Sequence, residues 1–155
     1  MLEIVKHPNE ILRRKSKAVN LDDISKADFK KLISEMSETM LKKDGAGLAA
    51  PQIGQNIRVI VVNKGEKGLA MINPEITKKS WAKEIDQEGC LSVLNKKNEI
   101  YYLPVSRHKK VSCAYFDDKG KKKKMEADGL MARVLQHEID HLDGILFIDR
   151  VEGDK

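Results

Sequence analysis

What this sequence lacks narrows it before any motif is considered. No apolar run approaches the ~20 residues that cross a bilayer, and the opening MLEIVKHPNE has no basic region followed by an apolar one, so neither a membrane span nor a secretory leader is expected. Two cysteines, Cys90 and Cys113, are too few for a disulfide scaffold in 155 residues; with a reducing address, a thiol serves better as a metal ligand or reactive group. Arginine is scarce, so the net charge of +5 comes mostly from lysine, clustered at Lys30-Lys31, Lys42-Lys43, Lys78-Lys79, Lys96-Lys97 and Lys121 to Lys124. No zinc-finger or RNP-like signature accompanies those lysines, which excludes sequence-specific nucleic-acid binding and leaves a solvated surface with weak attraction to polyanions such as ribosomal RNA. Repeats, low-complexity tracts and linkers are also missing. A single cytoplasmic domain over residues 1–155, monomeric by default, is the expectation.

What is present reads as α+β. Phe29, Leu32, Ile33, Met36 and Met40 fall on one stripe, predicting an amphipathic helix from about Ser25 to Lys43 that stops at Asp44-Gly45. Short strands follow. Arg58 to Val62 is β-branched, Leu69 to Ile76 holds another run that Pro74 interrupts, and Val111 to Phe116 puts Val111, Cys113 and Tyr115 on one face. Lys121 to Ala127 returns after the Asp118-Lys119-Gly120 turn as an edge strand protected by its lysines. A helical period then resumes from Asp128-Gly129 to about Leu142, with Gly144 ending it.

The strongest signal is His137-Glu138-Ile139-Asp140-His141 on that last helix. Residues four apart share a helix face, so both imidazoles can reach one ion, and Glu138 beside them can accept a proton from water. The pattern arises by accident in roughly 0.6% of shuffled versions of this chain. Leu130, Val134, His137 and His141 form one inward stripe, with Met131, Leu135, Glu138 and Leu142 beside it; Arg133, Gln136, Asp140 and Asp143 make an opposite, polar face.

A catalytic metal usually takes a third protein ligand. Downstream, only Asp143, Asp149, Glu152 and Asp154 are available, on the polar face or in a terminal, solvated segment. Upstream, His7 and His108 read as surface residues, and Cys113 as a small core residue on a strand. Cys90, preceded by a glycine that permits close backbone approach, is the chosen ligand; its thiolate suits iron, zinc, nickel or cobalt. A third segment, GAGLAAPQIG from Gly45 to Gly54, lacks the lysine and hydroxyl of a phosphate loop. Its small residues instead admit an extended peptide, and Gln52 offers an uncharged donor to a developing oxyanion.

Together GAGLAAPQIG, EGCLS and QHEIDHLDG resemble the three ordered motifs of peptide deformylases, with likeness running from the ILRRKS segment to LFIDR. The resemblance implies a compact fold of antiparallel sheets packed around a central helix carrying the H-E-x-x-H motif. It implies a hydrolase that removes the formyl group from the N-terminal formylmethionine of nascent polypeptides. The metal would be natively iron(II), with zinc, nickel or cobalt as substitutes. Cys90, His137 and His141 would hold it, and Glu138 would be the general base toward metal-bound water attacking the formyl carbon. Gln52 and the backbone amide of Leu91 would be the oxyanion donors. Gly47 would belong to the rail that pairs with the substrate, and Ala46, Leu130 and Val134 would line the methionine pocket.

This chain departs from the family pattern in places. Leu94 stands where proline is usual, the Asn95 to Pro104 segment is longer than in compact members, and Ala46 is smaller than the usual aliphatic residue. Without the long basic C-terminal helix of some members, ribosome association is expected to be weak. Two other readings compete: a different H-E-x-x-H zinc hydrolase or protease, which needs a downstream third ligand, and a non-catalytic metal-binding, ribosome-associated module, against which Glu138 and Gln52 argue.

Overall fold

The structure, a computed structural model, describes residues 1–152; Asp154 lies outside them. Two helices and seven strands are present among the described residues, in the order α1 (Ala27–Lys42), β1 (Gly47–Ala49), β2 (Val59–Asn63), β3 (Gly68–Lys79), β4 (Lys83–Glu88), β5 (Leu103–His108), β6 (Lys110–Phe116), β7 (Lys122–Asp128) and α2 (Gly129–Leu142). Strands β1-β2-β3-β6-β7 form one antiparallel sheet and β4-β5 a separate antiparallel pair. None of the helices is long and apolar enough to cross a membrane.

The large sheet is covered on both faces, which explains why β2 reads Val-Ile-Val-Val without alternation. Val59 and Val61 join α1's Ile33, Met36 and Met40 in one core, while Ile60 and Val62 join α2's Leu135, Ile139 and Leu142 in another. Val111, Cys113 and Tyr115 share the second core, as the alternation of β6 predicts. A third, smaller core gathers Leu12, Cys90, Val93, Val105, Leu146 and Phe147.

Two expectations need correction, and one is sharpened. Pro74 does not interrupt its strand: β3 continues to Lys79, with the register slipping between Ile72 and Glu75. The bulge removes the need for a donor at Pro74, and Asn73 accommodates it in the left-handed region (φ 51°). The stop of α1 at Asp44-Gly45 holds: Asp44 takes the left-handed conformation (φ 53°) and the Gly45 N–H donates to Met40 O (2.9 Å) to close the helix. Second, the polar face of α2 is not solvated. Arg133 and Gln136 are buried against β4 and β5. Arg133 donates to Val105 O and Glu84 O (both 2.8 Å), and Gln136 both accepts from His108 N (3.0 Å) and donates to His108 O (2.9 Å). Helix α2 therefore lies between the large sheet and the β4-β5 pair, with polar side chains serving one interface and aliphatic ones the other.

Candidate active site

Helix α2 and the turn after β4 bring together the sulfur and the two imidazoles. Cys90 Sγ lies 3.4 Å from His141 Nε2, and the ligating atoms of Cys90, His137 and His141 all fall within 4.8 Å of one another. Bonds of ~2.0–2.3 Å to a tetrahedral ion separate neighbouring ligand atoms by about 3.3–3.8 Å, so small adjustments would close this set on one metal. The downstream carboxylates are engaged elsewhere: Asp143 pairs with Arg58 (3.0 Å) and Asp149 with Arg13 (2.5 Å). His7 is exposed, and His108 Nδ1 bonds to Ser80 O (2.7 Å).

The electrostatics favour a cation there. Burial disfavours a charged His137 ring, yet Glu138, Cys90 and Glu88 around it raise its pKa to about 10. The same anionic surround that holds a proton would hold a metal ion in its place. Burial, followed by the charges of His137 and Arg107, keeps His141 well below its usual value and so neutral, as a ligand must be. Burial alone would raise Glu88, but hydrogen bonds from His137 and Arg107 hold its carboxyl well below the ordinary carboxylate range. Glu88 Oε1 meets His137 Nδ1 at 2.8 Å, which orients the ring so that Nε2 faces Cys90 and His141. Arg107 grips Glu88 (2.9 and 3.0 Å) and Asp140 (2.6 Å), and Arg133 adds a contact to Glu88 (2.7 Å).

The remaining polar groups surround this cluster. Burial raises the Glu138 carboxyl to about 7, and its Oε1 has no hydrogen-bond partner among the described residues. Gly47 passes so close that a Cβ there would lie 2.7 Å from Glu138 Cγ. Gln52, in the short 3-10 turn after β1, accepts at Oε1 from Ala49 N (2.9 Å) and donates from Nε2 to Ser92 Oγ (3.1 Å) and Cys90 Sγ (3.6 Å). The Ala49 amide thus decides which end of the carboxamide faces the thiol. A cleft of about 410 Å³ opens over these groups. Ala46, Gly47, Gln52, Leu91, Leu130 and Val134 all line it, beside Cys90, His137 and Glu138. Leu130 departs from the inward stripe expected of it: it is 73% exposed, at the cleft mouth on the first turn of α2.

Sequence reasoning missed Glu88, Arg107, Arg133 and Ser92. Glu88 stands in the EGCLS segment, but nothing local links it to a histidine 49 residues away. It also missed how the N-terminal segment ties the site together. Val5 N donates to Gln52 O (2.7 Å), His7 N to Ser92 O (2.8 Å) and Ser16 N to Leu142 O (2.7 Å), one bond to each site-bearing segment.

Comparisons with known proteins agree with this arrangement. The family model for polypeptide deformylase matches residues 1–155. A peptide deformylase of Symbiobacterium thermophilum is 44% identical over 154 residues, covering 97% of this chain and 66%, just under two thirds, of that protein. Among solved structures, actinonin-bound class I type b peptide deformylase from Acinetobacter baumannii superposes with a TM-score of 0.90 at 34% identity, over 98% of this chain and 99% of that one. Peptide deformylase from Thermotoga maritima gives 0.88 at 38% identity, over 98% of both. With a whole-chain family match, the same fold and a Cys-His-His cluster where a metal-dependent hydrolase needs one, the chain belongs to the peptide deformylase family.

Proposed function

We propose that this chain removes the formyl group from the N-terminal methionine of nascent polypeptides, using one divalent metal held by Cys90, His137 and His141. The convergence of a thiol and two imidazoles within 4.8 Å, beside a buried carboxylate, carries this reading. When bound, the metal acidifies water and polarises the formyl oxygen. Iron(II) is the proposed native ion, with zinc, nickel and cobalt also suited to one sulfur and two nitrogens.

The chain's own residues supply the rest. The substrate lies along β1, an edge strand, with its backbone against Gly47 and its methionine side chain among Ala46, Leu130 and Val134. Glu138 takes a proton as water adds to the formyl carbon. Gln52 Nε2 and the Leu91 N–H donate to the formyl oxygen as it gains charge. The C–N bond then breaks, formate departs, and Glu138 returns the proton to the amine. We place the protein in the cytoplasm as one monomeric domain over residues 1–155, with its surface lysines giving at most weak ribosome attraction.

The test is hydrolysis of formylmethionyl peptides under anaerobic conditions, with metal analysis of the same sample. Formate release that stops on chelation and returns with iron(II) is expected. No formate release from metal-loaded protein would sink the reading, and would favour a non-catalytic metal-binding module. Glu138→Ala is expected to keep metal and lose nearly all turnover, whereas Cys90→Ser loses metal.

A further inference from the structure

Trp81, the single tryptophan of the chain, is 99% exposed in the connection between β3 and β4. Its neighbours are firmly held. Ser80 N donates to Lys110 O (2.9 Å), Lys110 N to Ser80 Oγ (3.0 Å), Ser80 Oγ to Ala82 O (2.8 Å) and Lys109 N to Ala82 O (3.0 Å). These bonds tie the connection to the one between β5 and β6, so the indole stands in water on a fixed backbone. They also gather charge around it. Lys78, Lys79 and Lys83 flank Trp81 in sequence, Lys109 and Lys110 come from the adjoining turn, and all five are exposed. The lysine ion pairs of the described residues lie elsewhere, at Lys26, Lys42, Lys123 and Lys124. Two exposed acids adjoin the corner, Glu84 beside Lys83 and Asp128 opposite Lys110, while Glu126 is engaged by Ser112 (2.7 Å) and Lys124. The cationic surface continues into a polar cleft of about 350 Å³ bordered by Lys79, Lys83 and His108; its Asp140 and Asp143 are paired with arginines, and Glu75 is its remaining acid.

We propose that this corner docks single-stranded RNA, with one base stacked on the Trp81 indole and the lysines following the phosphates. An aromatic platform among ammonium groups suits an unpaired strand and is tolerant of its sequence. A duplex keeps its base faces stacked and would engage the lysines alone. One indole among lysines lacks the broad apolar face that settles a protein into a bilayer interface. The choice of RNA over DNA rests on the deformylase reading, since RNA is the polynucleotide present where polypeptides are made. The contact is separate from the active-site cleft, which neither Trp81 nor any of the five lysines lines.

Because Trp81 is the sole tryptophan, its fluorescence reports the contact directly. A short oligouridylate should quench that emission and a duplex of equal length should not. Raising the salt about fourfold should weaken binding by roughly tenfold or more, as expected when a few phosphates are neutralised. With a dye-labelled strand and anisotropy as the readout, Trp81→Ala should weaken binding about five- to twentyfold and Trp81→Phe less than about threefold, with the melting temperature and formate release unchanged. Lys79→Ala with Lys83→Ala should reduce the log–log salt slope by about 1.4. Unquenched emission, equal quenching by the duplex, full affinity in Trp81→Ala, or binding of oligothymidylate without oligouridylate would overturn the proposal. So would blue-shifted emission with anionic-lipid vesicles and no response to RNA, which would mark a membrane contact. None of the binding measurements uses formate release, so failure of the deformylase reading would show separately in the anaerobic assay.

Discussion

In the proposed mechanism Gln52 acts through one end of its carboxamide, the other end being committed to the Ala49 amide. A glutamate there keeps the anchor and loses the donor. Gln52→Glu should therefore lower kcat by about 10²–10³-fold with metal content unchanged, the cost of losing one oxyanion donor; steady-state kinetics that show less than a fivefold loss would remove the role. Gly47 allows an equally local test. A methyl group would press into Glu138, so Gly47→Ala should cost at least about tenfold in turnover while the melting temperature holds. At this scale the convergence of His137 and His141 was legible because four-residue spacing on a helix states their geometry directly. Gln52 was half legible, since a glutamine among small residues asks for a purpose without naming its partner. Glu88 was not legible, because its meaning lies in His137, Arg107 and Arg133, all distant in sequence.

Among the elements, the β4-β5 pair and α2 depend on one buried carboxylate. Glu88→Ala leaves the buried Arg107 and Arg133 without their shared partner, a change that costs about 3–5 kcal/mol when a buried ion pair is broken. Urea denaturation should show that loss, together with weaker metal retention as His137 loses its orientation. Cys113 gives the contrasting case. Burial pushes its thiol up to about 11, so at pH 8 it stays protonated and enclosed, and an alkylating reagent should reach it only after unfolding. Alkylation of Cys113 in the native protein within minutes would contradict that burial. Periodicity found both helices and the strands built from β-branched or alternating residues. It missed β4, whose Lys-Glu-Ile-Asp-Gln-Glu is too charged to resemble a strand, and it misjudged the polar face of α2. Charge predicts exposure only until another element supplies carbonyls and carboxylates to meet it, as β4 and β5 do for Arg133 and Gln136.

Across the whole molecule, metal and fold should be linked. An ion that binds the native cluster and not the unfolded chain adds stability that grows with the logarithm of its free concentration. Chelation should lower the melting temperature by several degrees, and zinc, nickel or iron(II) should restore it. An unchanged melting curve would mean that the cluster holds no ion under those conditions. The α+β class was readable from composition and pattern. The two-sided burial of the large sheet was only hinted at by β2, where alternation is missing.

The three bonds from Val5, His7 and Ser16 have a consequence for biogenesis. Residues that are synthesised before α1 bind partners that include Leu142, the last residue of α2. A partly made molecule, still lacking α2, would have neither both imidazoles nor the anchor for Ser16. The proposed metal cluster is thereby assembled only after α2 has cleared the exit tunnel, so a translation product cut short before α2 is expected to hold no metal and release no formate.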